Sequence, residues 1–457
     1  MNLPRRHSGR LCLVLALAAA SGCAHIDPYN MIGRQVPLAP AEASSFDSTS
    51  STRLDPEVRA KAFDAVWKTI NERYYDPGLN GVDWKAAGER HRPQALAADD
   101  DEAFWDALDR MTGEMKDAHT RVDSPRRAEL IRNSESITLG FSFLDLEGRL
   151  VVWTVHPDSD AWWAGVRPGM VIAAIEGVDA REAYARLQAI ERLDSTPRAR
   201  HFRTARRIVT GEPGSRASIT FERADGSRFD ASLERRRIST AAAASHRVLP
   251  SGFGYVRLTQ WTFGATRRAI EGVKELKKTP GMIIDLRSNP GGSLPSVTEM
   301  LGHFFTEKTV VGETLTRTGK PVSLLFGAIE IIKLRQEVKG EEGGYTGPVV
   351  VLVNSGSGSG SEYFAGAMQA VGRARIVGEP TCGCLLGFLG YAALPGGGQL
   401  AYSEVGFRFV NGKRIEGEGV IPDTIVPLAL QDLRYGRDRP LEAAQELLRK
   451  LGPWKKA

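Results

Sequence analysis

Residues 351–384 read VLVNSGSGSGSEYFAGAMQAVGRARIVGEPTCGC. The run 348–354 is short, apolar and valine-rich, the pattern of a strand covered on both faces. It ends at Asn354 and passes through a Gly/Ser turn into a segment that suits a helix. A serine at a helix mouth sits among unpaired backbone N–H groups, where the helix dipole favours negative charge. Those N–H groups can form an oxyanion hole, and small neighbours leave room for a peptide. Taken alone, the string reads better as a flexible Gly/Ser loop or a helix cap.

A second turn lies upstream. The apolar run GMIIDLR stops in DLRSNPGG, residues 285–292. Lacking Cβ, Gly291 and Gly292 let the backbone approach a ligand closely. Around these turns the pattern alternates. FGYVRLTQW (253–261) predicts a strand, 265–277 a helix, and 295–306 another helix before the strand at 348–354. That order implies an α/β core. The segment PLEAAQELLRKL, residues 440–451, predicts an amphipathic helix.

Further upstream, Asp55 and Pro56 form an N-cap and first-turn signal. Phe63, Val66, Trp67, Ile70 and Tyr74 follow at helical spacing, and Phe104, Leu108, Met111 and Met115 repeat it. Residues 55–117 therefore read as helical, with a Pro/Gly turn near 77–81. From 136 the spacing changes to that of strands. Turns are expected at Glu147-Gly148 and Asp225-Gly226. The arginine-rich stretch 190–212 reads as a solvated connection, with peptide steering as the alternative.

DLRSNPGG, followed by the serine turn with GRARIVGEPT and the closing IEGEGVIPD, resembles the C-terminal-processing, or tail-specific, serine protease family. The resemblance covers about 55–435. Within it, Leu139-Gly140-Phe141 and AGVRPGMVIAAIEG resemble a PDZ domain, whose loop N–H groups capture a peptide carboxylate. The fold implied is multidomain α+β, with a helical region at 55–135, a PDZ domain at 136–236 and a ClpP/crotonase-like α/β protease core at 237–435. A signal peptide (1–22), a tether (23–54) and a C-terminal helix (436–457) complete the expected plan.

The resemblance implies Ser359 as nucleophile and the backbone N–H groups of Gly360 and of Gly291 or Gly292 as oxyanion donors. Ser357 and Ser361 become structural neighbours. The common branch places its lysine base where this chain has Cys384. A thiol cannot simply inherit that role, and nothing nearby argues for a low thiol pKa. A lysine-lacking branch, resembling the tricorn protease core, uses a histidine and a glutamate instead. Here Asp117-Ala-His-Thr120 offers His119 as base, and Glu416 of IEGEGVIPD matches the acidic position that would orient it, with Glu418 two residues away and a surface role for either carboxylate as the alternatives. That branch has a serine just before its histidine; this chain has Ala118. A structural role for His119 is the alternative. Cys382 and Cys384 are expected as buried packing residues, with a redox-sensitive pair or metal ligands as alternatives; a disulfide between them would be tight and strained.

Composition frames this reading. The 457 residues exceed one ordinary core, and 25% charged with 42% hydrophobic residues indicates a globular body. The formal charge of +5 includes Arg5, Arg6 and Arg10 of the N-terminal segment, so no basic surface for nucleic acid is indicated. Those arginines precede the apolar run 11–20 and then ASGC, the order of a bacterial lipoprotein signal with lipid on Cys23. A plain secretory signal is the alternative. The expected protein is a cell-envelope, periplasmic peptidase held to a membrane by lipid. It would act on peptides or unfolded proteins without metal or cofactor. The competing reading is an inactive peptide-binding or scaffolding protein of the envelope, and a hydrolase of other esters or amides is a third.

Overall fold

The computed structural model describes residues 53–324 and 329–451. The signal segment, Cys23 and nearly all of the expected tether lie outside the described residues. Three helices come first: α1 (Pro56–Arg73), α2 (Trp84–Leu96) and α3 (Asp101–Gly113). Asp55, Asp83 and Asp100 each accept a first-turn backbone N–H at their starts. Such a cap is worth about 1 kcal/mol. Phe63, Val66 and Ile70 of α1 meet Phe104, Leu108 and Met111 of α3 in one core. Leu400 and Tyr402, far along the chain, complete it. The strand Arg121–Asp123 also pairs antiparallel with Gln399–Ala401. The loop between α3 and this strand is thereby pinned against the C-terminal core.

The middle unit contains β1 (Phe141–Leu146), β2 (Arg149–Val155), β3 (Val171–Ile175), α4 (Pro197–Val209), β4 (Arg216–Glu222) and β5 (Arg228–Glu234). Its strands pair antiparallel in numerical order. The β1–β2 hairpin turns on Glu147 and Gly148, at φ +53° and +74°. Positive φ at both positions is what a two-residue hairpin of the right twist demands. Ala205, Ile208 and Val209 of α4 pack with Phe141 and Phe143.

The stretch 190–212 differs from its expected solvated character. Arg192, Thr196 and Thr204 are buried. The Arg192 guanidinium donates to Asp109 Oδ1, Thr112 Oγ1 and the carbonyls of Thr120 and Asp117. A buried guanidinium is tolerated because its donors are satisfied in this way.

The C-terminal unit comprises β6 (Ala244–Val248), β7 (Gly254–Leu258), α5 (Phe263–Glu275), β8 (Met282–Asp285), α6 (Leu294–Gly302), β9 (Val349–Val353), α7 (Gly360–Ala370), β10 (Arg375–Gly378), β11 (Thr424–Ile425) and α8 (Arg439–Lys450). The six strands form one sheet in numerical order, with β6 antiparallel to β7 and the rest parallel. Val349, Val351 and Val353 of β9 join the core that holds Phe364 and Val297. Val350 and Leu352 face Ala444 and Leu448 of α8. Period-two alternation thus explains why an unbroken apolar run is needed: both sheet faces are covered. Each such valine or leucine contributes about 1.5–3 kcal/mol by burial. Parallel pairing also brings the loops after β8 and β9 to one edge of the sheet.

Candidate active site

The loop after β9 is built by its own polar groups. Asn354 Oδ1 accepts from the N–H groups of Ser288 (2.7 Å) and Gly356 (3.1 Å), which ties the two loops together. Ser357 Oγ donates to Leu286 O at 2.8 Å. Ser361 Oγ accepts from Trp261 Nε1 at 3.0 Å and donates to Asn289 O at 2.9 Å. Those two serines are therefore committed to structure. Ser359 is different. It sits at φ +48°, ψ −112°, just before α7, and its Oγ lies 3.0 Å from His119 Nε2. A non-glycine residue there costs about 1–3 kcal/mol, and such strain clusters at functional sites.

The loop after β8 supplies the facing wall. Gly291 N–H donates to Asn289 Oδ1 at 2.9 Å. It is therefore occupied, and the expected choice between Gly291 and Gly292 narrows to Gly292. Among the described residues the N–H groups of Gly292 and Gly360 have no hydrogen-bond acceptor. They are neighbours: a Cβ built on Gly360 would stand 3.4 Å from Gly292 N. Gly291 matters for space instead. At φ +109°, a Cβ there would approach Ser359 Cβ to 2.6 Å.

His119 comes from the loop after α3. Asp117, fully buried, accepts from His119 N–H (2.8 Å) and from Thr120 Oγ1 (2.6 Å). Thr120 Oγ1 in turn accepts from Ser403 N–H at 3.1 Å. Arg192 closes the loop from the other side. Burial holds the imidazole below its ordinary value of 6.5, opposed by the charges of Asp117 and Asp194 and assisted by Arg121. The ring is therefore neutral at neutral pH. With Nε2 accepting from Ser359, its proton resides on Nδ1, a buried atom that has no hydrogen-bond partner among the described residues.

Among the described residues Glu416 makes no hydrogen bond to that ring. Its Oε1 instead accepts from Ser195 Oγ. Burial, then the charge of Asp117, pushes its carboxyl well above 4.5, while the Ser195 hydrogen bond draws it down. Ser195 was invisible in the sequence; only an isolated hydroxyl in an arginine-rich stretch marked it.

Cys384 is joined to Cys382 by a disulfide, with Cα atoms 5.4 Å apart. Both residues are buried as expected, but they are bonded rather than free. A disulfide sulfur has no proton to exchange, so Cys384 offers no base. Its backbone is nonetheless part of the site. Ser359 N–H lies 3.2 Å from Cys384 O and 2.9 Å from Glu362 Oε2. Glu362 also accepts from Thr381 Oγ1, Gly383 N–H and Cys384 N–H. Burial pushes the Glu362 carboxyl up to about 7 against these four hydrogen bonds.

Leu139, Gly140 and Phe141 lie away from this cluster, at the start of β1. Leu139 N–H donates to Val209 O at 2.9 Å, and Gly140 N–H to Thr138 Oγ1 at 3.2 Å. In this conformation those two N–H groups are not open to a peptide carboxylate.

Comparison with known proteins bears on this arrangement. The family described as "Peptidase family S41" matches residues 252–426, and "Tricorn protease C1 domain" matches residues 55–113. The carboxyl-terminal-processing protease of a Picosynechococcus species is 27% identical, covering 79% of this chain and 82% of that protein. A putative tricorn protease homolog of Streptomyces coelicolor is 24% identical over 86% of this chain and 33% of that protein. Among solved structures, mature CPAF overlays with a TM-score of 0.64 at 15% identity, covering 88% of this chain and 100% of that one. The photosystem II D1 C-terminal processing protease gives 0.55 at 23% identity, covering 85% and 97%. The family matches support a serine-type peptidase. More specifically, the two matched domains and the carboxyl-terminal-processing relatives support likeness to the tail-specific, C-terminal-processing proteases.

Proposed function

We propose that this chain is an exported serine endopeptidase in which Ser359 is the nucleophile and His119 the general base. The observation that carries the reading is the 3.0 Å approach of His119 Nε2 to Ser359 Oγ, at a serine held in strained backbone. Ser359 Oγ bonds to the peptide carbonyl carbon as His119 Nε2 takes its proton. The oxyanion is held by the N–H groups of Gly360 and Gly292. His119 then gives the proton to the leaving amine, and water releases the acyl group by the same steps. Cys384 stands where the family's lysine would be, and its disulfide leaves the proton transfer to histidine. Glu416 acts on His119 through the loop that carries it.

We read the middle unit as a PDZ domain that engages C-terminal segments of substrates. With Leu139 N–H donating to Val209 O, capture of a carboxylate requires that contact to open. Cys23 carries the lipid that holds the protein at the periplasmic face of a membrane. This part rests on the order of basic, apolar and small residues before Cys23.

The test is digestion of an unfolded protein and of peptides bearing free or amidated C-termini. Cleavage is expected from wild type and not from Ser359→Ala, with free carboxylates cut faster. Equal rates on both peptides would remove the PDZ role. Cleavage that survives Ser359→Ala would remove the nucleophile. Mass spectrometry of the mature N-terminus should find acylated Cys23; an unmodified terminus elsewhere contradicts the anchor.

A further inference from the structure

We infer that Ser195 is a positioning residue of the site, joining the loop that carries His119 to the Glu416 carboxyl. The inference rests on the reading of Ser359 and His119 as nucleophile and base. Ser195 lies in the connection leading into α4, so the middle unit contributes it. Its Oγ accepts from Ala118 N–H at 2.9 Å and donates to Glu416 Oε1. A hydroxyl has one proton. With Ala118 N–H on one lone pair, that proton is free to be given to the carboxyl. The two bonds therefore have fixed directions and clamp the residue next to His119.

The position is telling. The sequence has alanine at 118, where the tricorn-like pattern has a serine. Here a hydroxyl reaches the same peptide unit from 77 residues along the chain. Neighbouring bonds reinforce it. Thr196 Oγ1 donates to Cys382 O, and Arg198 Nε donates to Thr381 O at 2.7 Å. Arg192 holds the carbonyls of Asp117 and Thr120. One short segment, 192–198, thus touches the histidine loop, the disulfide segment and Glu416.

Charged groups around these residues set the sign of the pH effect. Asp117, Asp194 and Arg121 act on His119, and Asp117 and Glu362 act on Glu416. Loss of the Ser195 clamp lets water reach the imidazole, so its depressed pKa returns toward 6.5. Loss of the hydrogen bond also raises Glu416 further. Both move the acid limb of activity to higher pH.

The experiment compares full-length wild type, Ser195→Ala and Ser195→Thr. It measures kcat and KM on a peptide, the pH profile, and the labelling rate of Ser359 by a fluorophosphonate per folded molecule. For Ser195→Ala, kcat is expected to fall about 10- to 100-fold with KM within about twofold. Its acid limb should move up, and Ser195→Thr should restore both. A Ser195→Ala protein whose folded molecules label and turn over at the wild-type rate, with an unmoved acid limb, overturns the inference. Wild type that neither labels nor cleaves overturns the Ser359 reading as well, and is seen before any Ser195 variant is compared.

Discussion

Holding Ser359 at φ +48° costs about 1–3 kcal/mol, which neighbouring hydrogen bonds must offset. Glu362 is the chief source, accepting from Ser359 N–H, Thr381 Oγ1, Gly383 N–H and Cys384 N–H. Glu362→Gln turns one acceptor oxygen into a donor facing N–H groups. It should lower unfolding stability by about 2–4 kcal/mol in denaturant titration, with slower labelling of Ser359. A stable Glu362→Gln protein would show that other contacts hold the turn. Gly291→Ala should likewise abolish activity, because the new Cβ meets Ser359 Cβ at 2.6 Å. Wild-type kcat in that variant would mean the wall yields. For His119, burial lowers the imidazole pKa, so the neutral, proton-accepting form persists below pH 6.5. The acid limb of kcat/KM should therefore lie below 6.5 and vanish in His119→Ala, with a loss of about 10²–10⁴-fold. At this scale the sequence was informative where motif and chemistry coincide: Ser359 and His119 were found 240 positions apart and stand 3.0 Å from each other. It was silent on Ser195, because a lone serine carries no pattern.

Elements whose pattern is local were legible, and elements held by distant partners were not. The helices α1 and α3, the β1–β2 hairpin and the β9–α7 turn follow from period and turn residues. The stretch 190–212 did not, since its arginines look solvated until Asp109 and the Asp117–Thr120 carbonyls are brought beside Arg192. Arg192→Met removes the donor to those carbonyls and leaves Asp109 with Arg203 and the Val122 N–H. It should cost about 1–3 kcal/mol in denaturant unfolding, whereas a merely solvated arginine would leave the midpoint unmoved. The 382–384 disulfide was equally illegible, because spacing alone does not say whether two buried thiols are bonded. A dithiol reductant would give it two electrons and two protons and open the ring. With Cys384 O and N–H both engaged in the Ser359 turn, labelling of Ser359 should then slow several-fold. Unchanged labelling, with both thiols shown free by titration, would make the disulfide a bystander.

The whole molecule joins three stretches of chain at one point: a helical unit gives His119, the middle unit Ser195, and the parallel sheet Ser359 with its amides. The family resemblance anticipated this plan because its motifs lie at loops the sheet must bring to one edge. It could not anticipate which groups link the units, since those are chosen by packing. Docking of the helical unit through Leu400 and Tyr402 makes the site a property of the assembled chain. The most direct test is the site and rate of covalent labelling by diisopropyl fluorophosphate, read by peptide mass spectrometry. The account predicts a single adduct on Ser359, none in Ser359→Ala, and a rate falling at least a hundredfold in His119→Ala. An adduct on another residue, or an undiminished rate in His119→Ala, would contradict it.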